Sequence, residues 1–220
     1  MKDLIKIMLA LALVFVSLFI IVKATGLVTL NDILGILEQA RQIHPGYLAL
    51  VVIGLLFADL FITVPTMTVS ILAGNFLGWP IGVTATISGL FLAGITGYGI
   101  SRIFGGRLLN RVYKDRARLA EVHNNFSAYG PIILILSRAV PMLPEISCCM
   151  AGATRMPFYK FLTLYALGTI PYALITTYVG SISTVDKPTP AIVAAIGISL
   201  TLWGAWFLFG RNVRNHKRVV

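Results

Sequence analysis

The sequence predicts an all-α polytopic membrane protein: four spanning helices plus two oppositely oriented re-entrant helical hairpins forming an inverted repeat, with one interfacial amphipathic helix. Three observations predict it. The 220 residues are 57% hydrophobic and only 12% charged, with a mean hydropathy of +0.87, where a water-soluble domain carries roughly a quarter charged residues. Several apolar stretches reach the ~20 residues a helix needs to cross about 30 Å of hydrocarbon. Two others are cut by prolines into limbs too short to cross. No polar block is long enough to fold alone, so 1–220 reads as a single membrane domain.

The first apolar run, 4–22, follows Lys2 and Lys6. It is longer than the core of a signal peptide, and "KATGL" after it lacks a small-x-small cleavage site, so it is read as a retained spanning helix. Residues 29–44 are too polar to span. Thr29 or Asn31 can cap a helix there, and Ile33, Ile36, Leu37 and Ile43 recur at helical spacing, which predicts an amphipathic helix at the interface or an ordinary connecting helix.

Residues 46–78 form the first predicted hairpin, because Asp59 and Pro65 interrupt it and the limb from Pro65 to Gly78 is too short to cross. Residues 79–104 give a full span whose Gly89, Ala93, Gly94, Gly97 and Gly99 permit close helix packing. A basic cytoplasmic segment, 105–129, precedes the second hairpin, 130–156, which Pro141 and Pro144 break. Further spans are predicted over 158–180 and 190–209.

Charge bias sets the orientation. If the amino terminus, the 102–118 segment, Arg155, Lys160 and the carboxyl terminus share one side, that side holds 14 of the 18 Lys and Arg residues. The positive-inside rule then places both termini in the cytoplasm. An even number of full crossings follows, with the first hairpin opening outward and the second toward the cytoplasm. The net charge of +10 is explained by this topology and by anionic lipid headgroups. Nucleic acid is excluded as a partner, because the basic residues flank membrane spans. The two hairpins share a pattern: Pro65, Ala73-Gly74, Pro80 in one and Pro144, Ala151-Gly152, Pro157 in the other. Repeats entering from opposite sides place a substrate site where the discontinuous helices meet.

The motif "RAVPMLPEISCCMAGATRMPFYKF", with Arg138, Pro141, Pro144, Gly152, Met156, Phe158 and Phe161, resembles the signature of the DedA superfamily, also called the SNARE-associated Golgi protein or VTT-domain family. "AGNFLG" (73–78), "GYGISRIFGG" (97–106) and "GTIP" (168–171) fit the same pattern, over roughly 46–180. The resemblance implies a membrane protein with two facing re-entrant hairpins. It also implies a flippase or scramblase that moves phospholipids or polyprenyl phosphates, coupled in bacterial members to the proton motive force and to membrane homeostasis. Departures from the pattern are visible. No acid follows Pro65, Glu145 stands after Pro144 where many relatives carry a second arginine, and Ser101 replaces a frequent glycine.

Proline breaks a running helix but suits the first position of a new one. Pro65 and Pro144 are therefore expected to start half-helices whose free N–H groups favour an anion. Arg138 adds a forked cation that matches phosphate oxygens. The expected substrate-binding set is Arg138, Pro65, Thr66, Pro141, Pro144 and Ser147, with Gly74 and Gly152 shaping the hairpins. Asp59 and Glu145 are expensive in hydrocarbon and should either pair with Arg138 or carry protons. Cys148 and Cys149 read as small hydrophobes, with soft-metal ligation as the alternative. Tyr98, Tyr165, Tyr172 and Tyr178 read as packing or interface aromatics.

An enzyme is not predicted and no cofactor is implied: hydrolase, metalloprotease and nucleotide-binding fingerprints are missing, and His44, His123 and His216 lie in polar connections or the tail. Two other functions stay open, an ion, soft-metal or small-anion transporter and a non-transporting assembly or scaffold protein. Dimerisation through the glycine-rich span also stays open. Short loops fit a bacterial cytoplasmic (inner) membrane.

Overall fold

The computed structural model describes residues 30–62, 64–106, 116–140 and 142–183, together with the isolated positions 8, 9, 13, 17, 20, 197 and 204. The predicted spans over 4–22 and 190–209 otherwise lie outside the described residues. Every regular element among the described residues is helical: α1 (Leu30–Ile43), α2 (Pro45–Ala58), α3 (Thr66–Leu77), α4 (Trp79–Ile100), α5 (Arg116–Leu136), α6 (Leu143–Ala153) and α7 (Phe158–Ile182). A π-helical turn, Ser101–Gly105, extends α4, and a 3-10 turn, Ser137–Ala139, ends α5.

Two units are long and apolar enough to cross a membrane, Trp79–Gly105 and Phe158–Ile182. With 27 and 25 residues they reach about 40 and 37 Å at 1.5 Å per residue. The limbs α2 and α3, with 14 and 12 residues, reach only about 21 and 18 Å.

Local chemistry fixes the limits of these helices. His44 caps α2, its Nδ1 accepting the Gly46 N–H at 3.0 Å, and Pro45 opens the first turn. Pro65 is the N-cap of α3, and Gly78, at a φ of 75° that favours glycine, separates α3 from α4. Met142 adopts a left-handed φ of 66° just before α6, and Pro144 sits in the first turn of that helix. Helix α1 buries Ile33, Leu37 and Ala40 against α2, whereas Ile36, counted in its apolar stripe from spacing, is 46% exposed. The boundary expected between 129 and 130 falls inside α5, which runs unbroken through Pro131. A single proline forfeits one hydrogen bond to the preceding turn, and a helix otherwise continuous on both sides tolerates it.

The packing is reciprocal. Short helix α3 lies on long helix α7, and short helix α6 lies on long helix α4 with its π-helical extension. Glycines make both approaches close enough for backbone contact. A Cβ on Gly74 would overlap the Thr177 carbonyl of α7, and one on Gly180 would overlap the Ile71 carbonyl of α3. In the other half, a Cβ on Gly152 would overlap the Tyr98 carbonyl of α4, and one on Gly105 would meet Ala153 of α6. Each proline-led short helix is thus clasped by the long helix that follows the other one.

Candidate functional site

The segments joining α2 to α3 and α5 to α6 meet about halfway along α4 and α7. Asp59, at the end of α2, is 8% exposed, and its Oδ1 accepts the Val64 N–H at 2.7 Å. That bond closes the loop leading to Pro65. Glu145 projects from the first turn of α6 and its carboxyl group lies in hydrogen-bonding contact with that of Asp59. The Glu145 Oε2 atom is buried with no hydrogen-bond partner.

Arg138 sits in the 3-10 turn between α5 and α6. Its Nη2 donates to the Tyr165 hydroxyl at 2.8 Å and approaches Thr169 Oγ1 at 3.4 Å. Its Cζ lies 5.6 Å from the Tyr165 ring centroid and 5.3 Å from that of Tyr172, within reach of a cation–π attraction. Its Nε is buried without a partner. Among the described residues Arg138 makes no contact ion pair; Glu145 and Asp59 lie close enough to attract the guanidinium, and the two acids also meet each other. Hydroxyls and ring faces of α7 hold the guanidinium, while the acids come from the end of α2 and the first turn of α6.

A cleft lined by Asp59, Arg138, Glu145, Cys148 and Tyr165 lies between these groups. It has room for about one water molecule.

The other residues singled out from sequence separate into groups. Pro144 is buried and lines the cleft, whereas Pro65 is exposed. Thr66 lies near Tyr172, whose ring faces Arg138. Ser147 directs its hydroxyl to the Pro144 carbonyl at 2.8 Å. Pro141 lies outside the described residues. Gly74 and Gly152 lie in the helix contacts described above, away from the cleft. Cys148 borders the cleft and Cys149 is half-buried; no cluster of three or more His, Cys, Asp or Glu suited to a metal occurs among the described residues.

Tyr165 and Tyr172, read from sequence as packing or interface aromatics, hold the guanidinium, and Thr169 joins them. Their signal was periodic: Phe161, Tyr165, Thr169 and Tyr172 fall at helical spacing on one face of α7. Tyr178 is 52% exposed and packs edge-on against Trp79 at 6.0 Å, as an interface aromatic would.

A family profile described as VTT domain matches residues 64–182, more than half of the chain, and covers both proline-led short helices and the long helix after each. The chain belongs to the DedA/VTT-domain family. Undecaprenyl phosphate transporter A of Bacillus subtilis is 31% identical to it over 104 residues, 42% of this chain and 52% of that protein. Protein DedA of Escherichia coli K12 is 27% identical over 99 residues, 41% of this chain and 45% of that protein. The chain thus spans about half the length of these curated relatives. An uncharacterised membrane protein of Synechocystis is 29% identical over 163 residues, 68% of this chain and 73% of the relative. No solved structure matches the chain. This DedA/VTT-domain protein is an integral membrane protein, and its family includes a named transporter.

Proposed function

We propose that this protein is a flippase or scramblase that moves a phosphate-bearing lipid, a phospholipid or a polyprenyl phosphate, between leaflets in support of membrane homeostasis. The observation that carries the reading is the state of Arg138. Its guanidinium is held by hydroxyls and aromatic faces, makes no contact ion pair among the described residues although the nearby Glu145 attracts it, and keeps Nε without a hydrogen-bond partner. A buried cation in that condition is costly unless an anion completes it. A phosphate oxygen matches the fork of donors. The relative named for undecaprenyl phosphate transport supports the polyprenyl member of this substrate class.

The reading uses four spanning helices and two re-entrant hairpins, α2–α3 opening outward and the one ending in α6 opening to the cytoplasm. Both termini lie in the cytoplasm of a bacterial cell, and anionic headgroups contact the basic side. Reciprocal packing of each short helix on the opposite long helix supports an inverted repeat. The headgroup binds at the tips while its tails stay in the bilayer. Because the cleft holds about one water molecule, the tips must part to admit it. Asp59 and Glu145 then act as the proton-coupling pair, since two buried carboxyl groups in contact must share a proton. Substrate phosphate at Arg138 and a proton on the acid pair are linked by electrostatics.

The test is reconstitution in liposomes with fluorescently labelled polyprenyl phosphate, phosphatidylglycerol and phosphatidylethanolamine, with and without a pH gradient. Movement of at least one lipid, lost in Arg138→Ala at equal folded yield, is expected. Unchanged movement in that variant would overturn the assignment of the site. The small cleft favours a second reading, transport of a free small anion. Uptake of inorganic phosphate without lipid movement would establish that instead.

A further inference from the structure

Three aromatic rings make a continuous stack between two guanidiniums. At the end of α4, Arg102 Cζ lies 5.6 Å from the Tyr98 ring centroid. Its Nη1 donates to the Tyr98 hydroxyl and, at 3.0 Å, to the Met156 carbonyl. Tyr98 donates its own hydroxyl proton to that carbonyl. The Tyr98 ring stacks on Phe161 with centroids 4.5 Å apart and planes 14° apart, and Phe161 stacks on Tyr165 at 5.6 Å and 24°. Arg138 closes the column on the Tyr165 ring.

All three rings are at most 3% exposed, and close-packed groups transmit a shift rather than absorb it. The Arg102 end is exposed and grips the residue between α6 and α7, next to Arg155, whose φ of 56° marks a tight reversal. The Arg138 end lies in the cleft. The column therefore spans from the exit of the second hairpin to its tip.

From this geometry we infer that the stack is a positioning device: Tyr98 and Phe161, which line no part of the cleft, set the affinity of Arg138 for phosphate by fixing where its guanidinium stands relative to the Arg102–Met156 latch. The inference rests on the reading of Arg138 as the phosphate group's partner. Rings that only filled the core would alter how much protein folds, not how tightly the folded protein binds.

The experiment uses the full chain in liposomes, with whichever labelled lipid of the three above the unaltered protein moves fastest. Rate is measured against lipid mole fraction, which separates half-saturation from maximal rate per folded molecule. Phe161→Leu should raise the half-saturating fraction about tenfold while the maximal rate stays within about twofold, the signature of lost pre-organised binding. Tyr98→Phe keeps the ring and loses only the two hydroxyl bonds that tie that ring to Arg102 and Met156, so a rise of about threefold is expected. Should Phe161→Leu not fold, Tyr98→Phe decides. Wild-type half-saturation in the folded column variants would overturn the inference. Arg138→Gln, run in parallel, separates the two levels. If it raises half-saturation and the column variants do not, only the column fails. If it leaves half-saturation unchanged, the phosphate reading fails and the column with it.

Discussion

Tyr165 gives its hydroxyl proton to the Leu90 carbonyl of α4, 2.9 Å away, and therefore meets Arg138 only as an acceptor. One phenol thereby ties α7 to α4 and fixes the polarity of the bond to the guanidinium. In Tyr165→Phe the ring stays over Arg138 but both bonds go, leaving a buried guanidinium N–H unpaired and the Leu90 carbonyl with only its place in the α4 ladder. A stability loss of about 1–3 kcal/mol is expected, read as a lower thermal unfolding midpoint in detergent, together with slower lipid movement.

Asp59 accepts the Val64 N–H and touches Glu145 through the same carboxyl group, so two substitutions divide its roles. Asp59→Asn retains an oxygen for Val64 and loses the titratable group. It should keep wild-type stability and lose the response of flux to a pH gradient. Asp59→Ala also strands the Val64 N–H and should cost about 1–3 kcal/mol as well. Equal thermal stability of the two variants would show that the loop closure contributes nothing.

Gly74 and Gly152 face carbonyls of the opposing long helices, whereas Gly99 has open space around it. Gly74→Ala and Gly152→Ala are each expected to destabilise by about 1–3 kcal/mol through overpacking. Gly99→Ala should fall within about 0.5 kcal/mol of the parent. Thermal unfolding of the three purified variants side by side checks the contrast.

Cys148 is 1% exposed and borders the closed cleft. In a Cys149→Ser background, a membrane-permeant maleimide should label Cys148 slowly at rest and faster during lipid turnover, as the hairpin tips part. Mass spectrometry of the labelled protein gives the rate. A labelling rate indifferent to turnover would mean that the cleft does not open.

Much of the architecture was legible because hydrocarbon is an unforgiving solvent. Pro65 and Pro144 in apolar runs had to mark helix ends, and an arginine at 138 had to be functional or paired. Which of those two fates Arg138 meets depends on residues far along the chain. Tyr165 and Tyr172 reach it only because α7 packs beside α5 and the turn that ends it, and Asp59 meets Glu145 only because the end of α2 and the start of α6 converge. Periodicity placed Phe161, Tyr165, Thr169 and Tyr172 on one helical face but carried no information on what that face would meet. Ile36 illustrates the converse, an apolar residue at helical spacing that tertiary packing leaves 46% exposed.

The crossing of partners between halves bears on biosynthesis. Helix α3 emerges from the ribosome well before α7, the helix against which it settles, and α4, α5 and α6 are made in between. The nascent α3 must wait for its packing partner until the last of these helices is made. Truncations that stop short of α7 are therefore expected to be degraded rather than to accumulate as a stable half-protein.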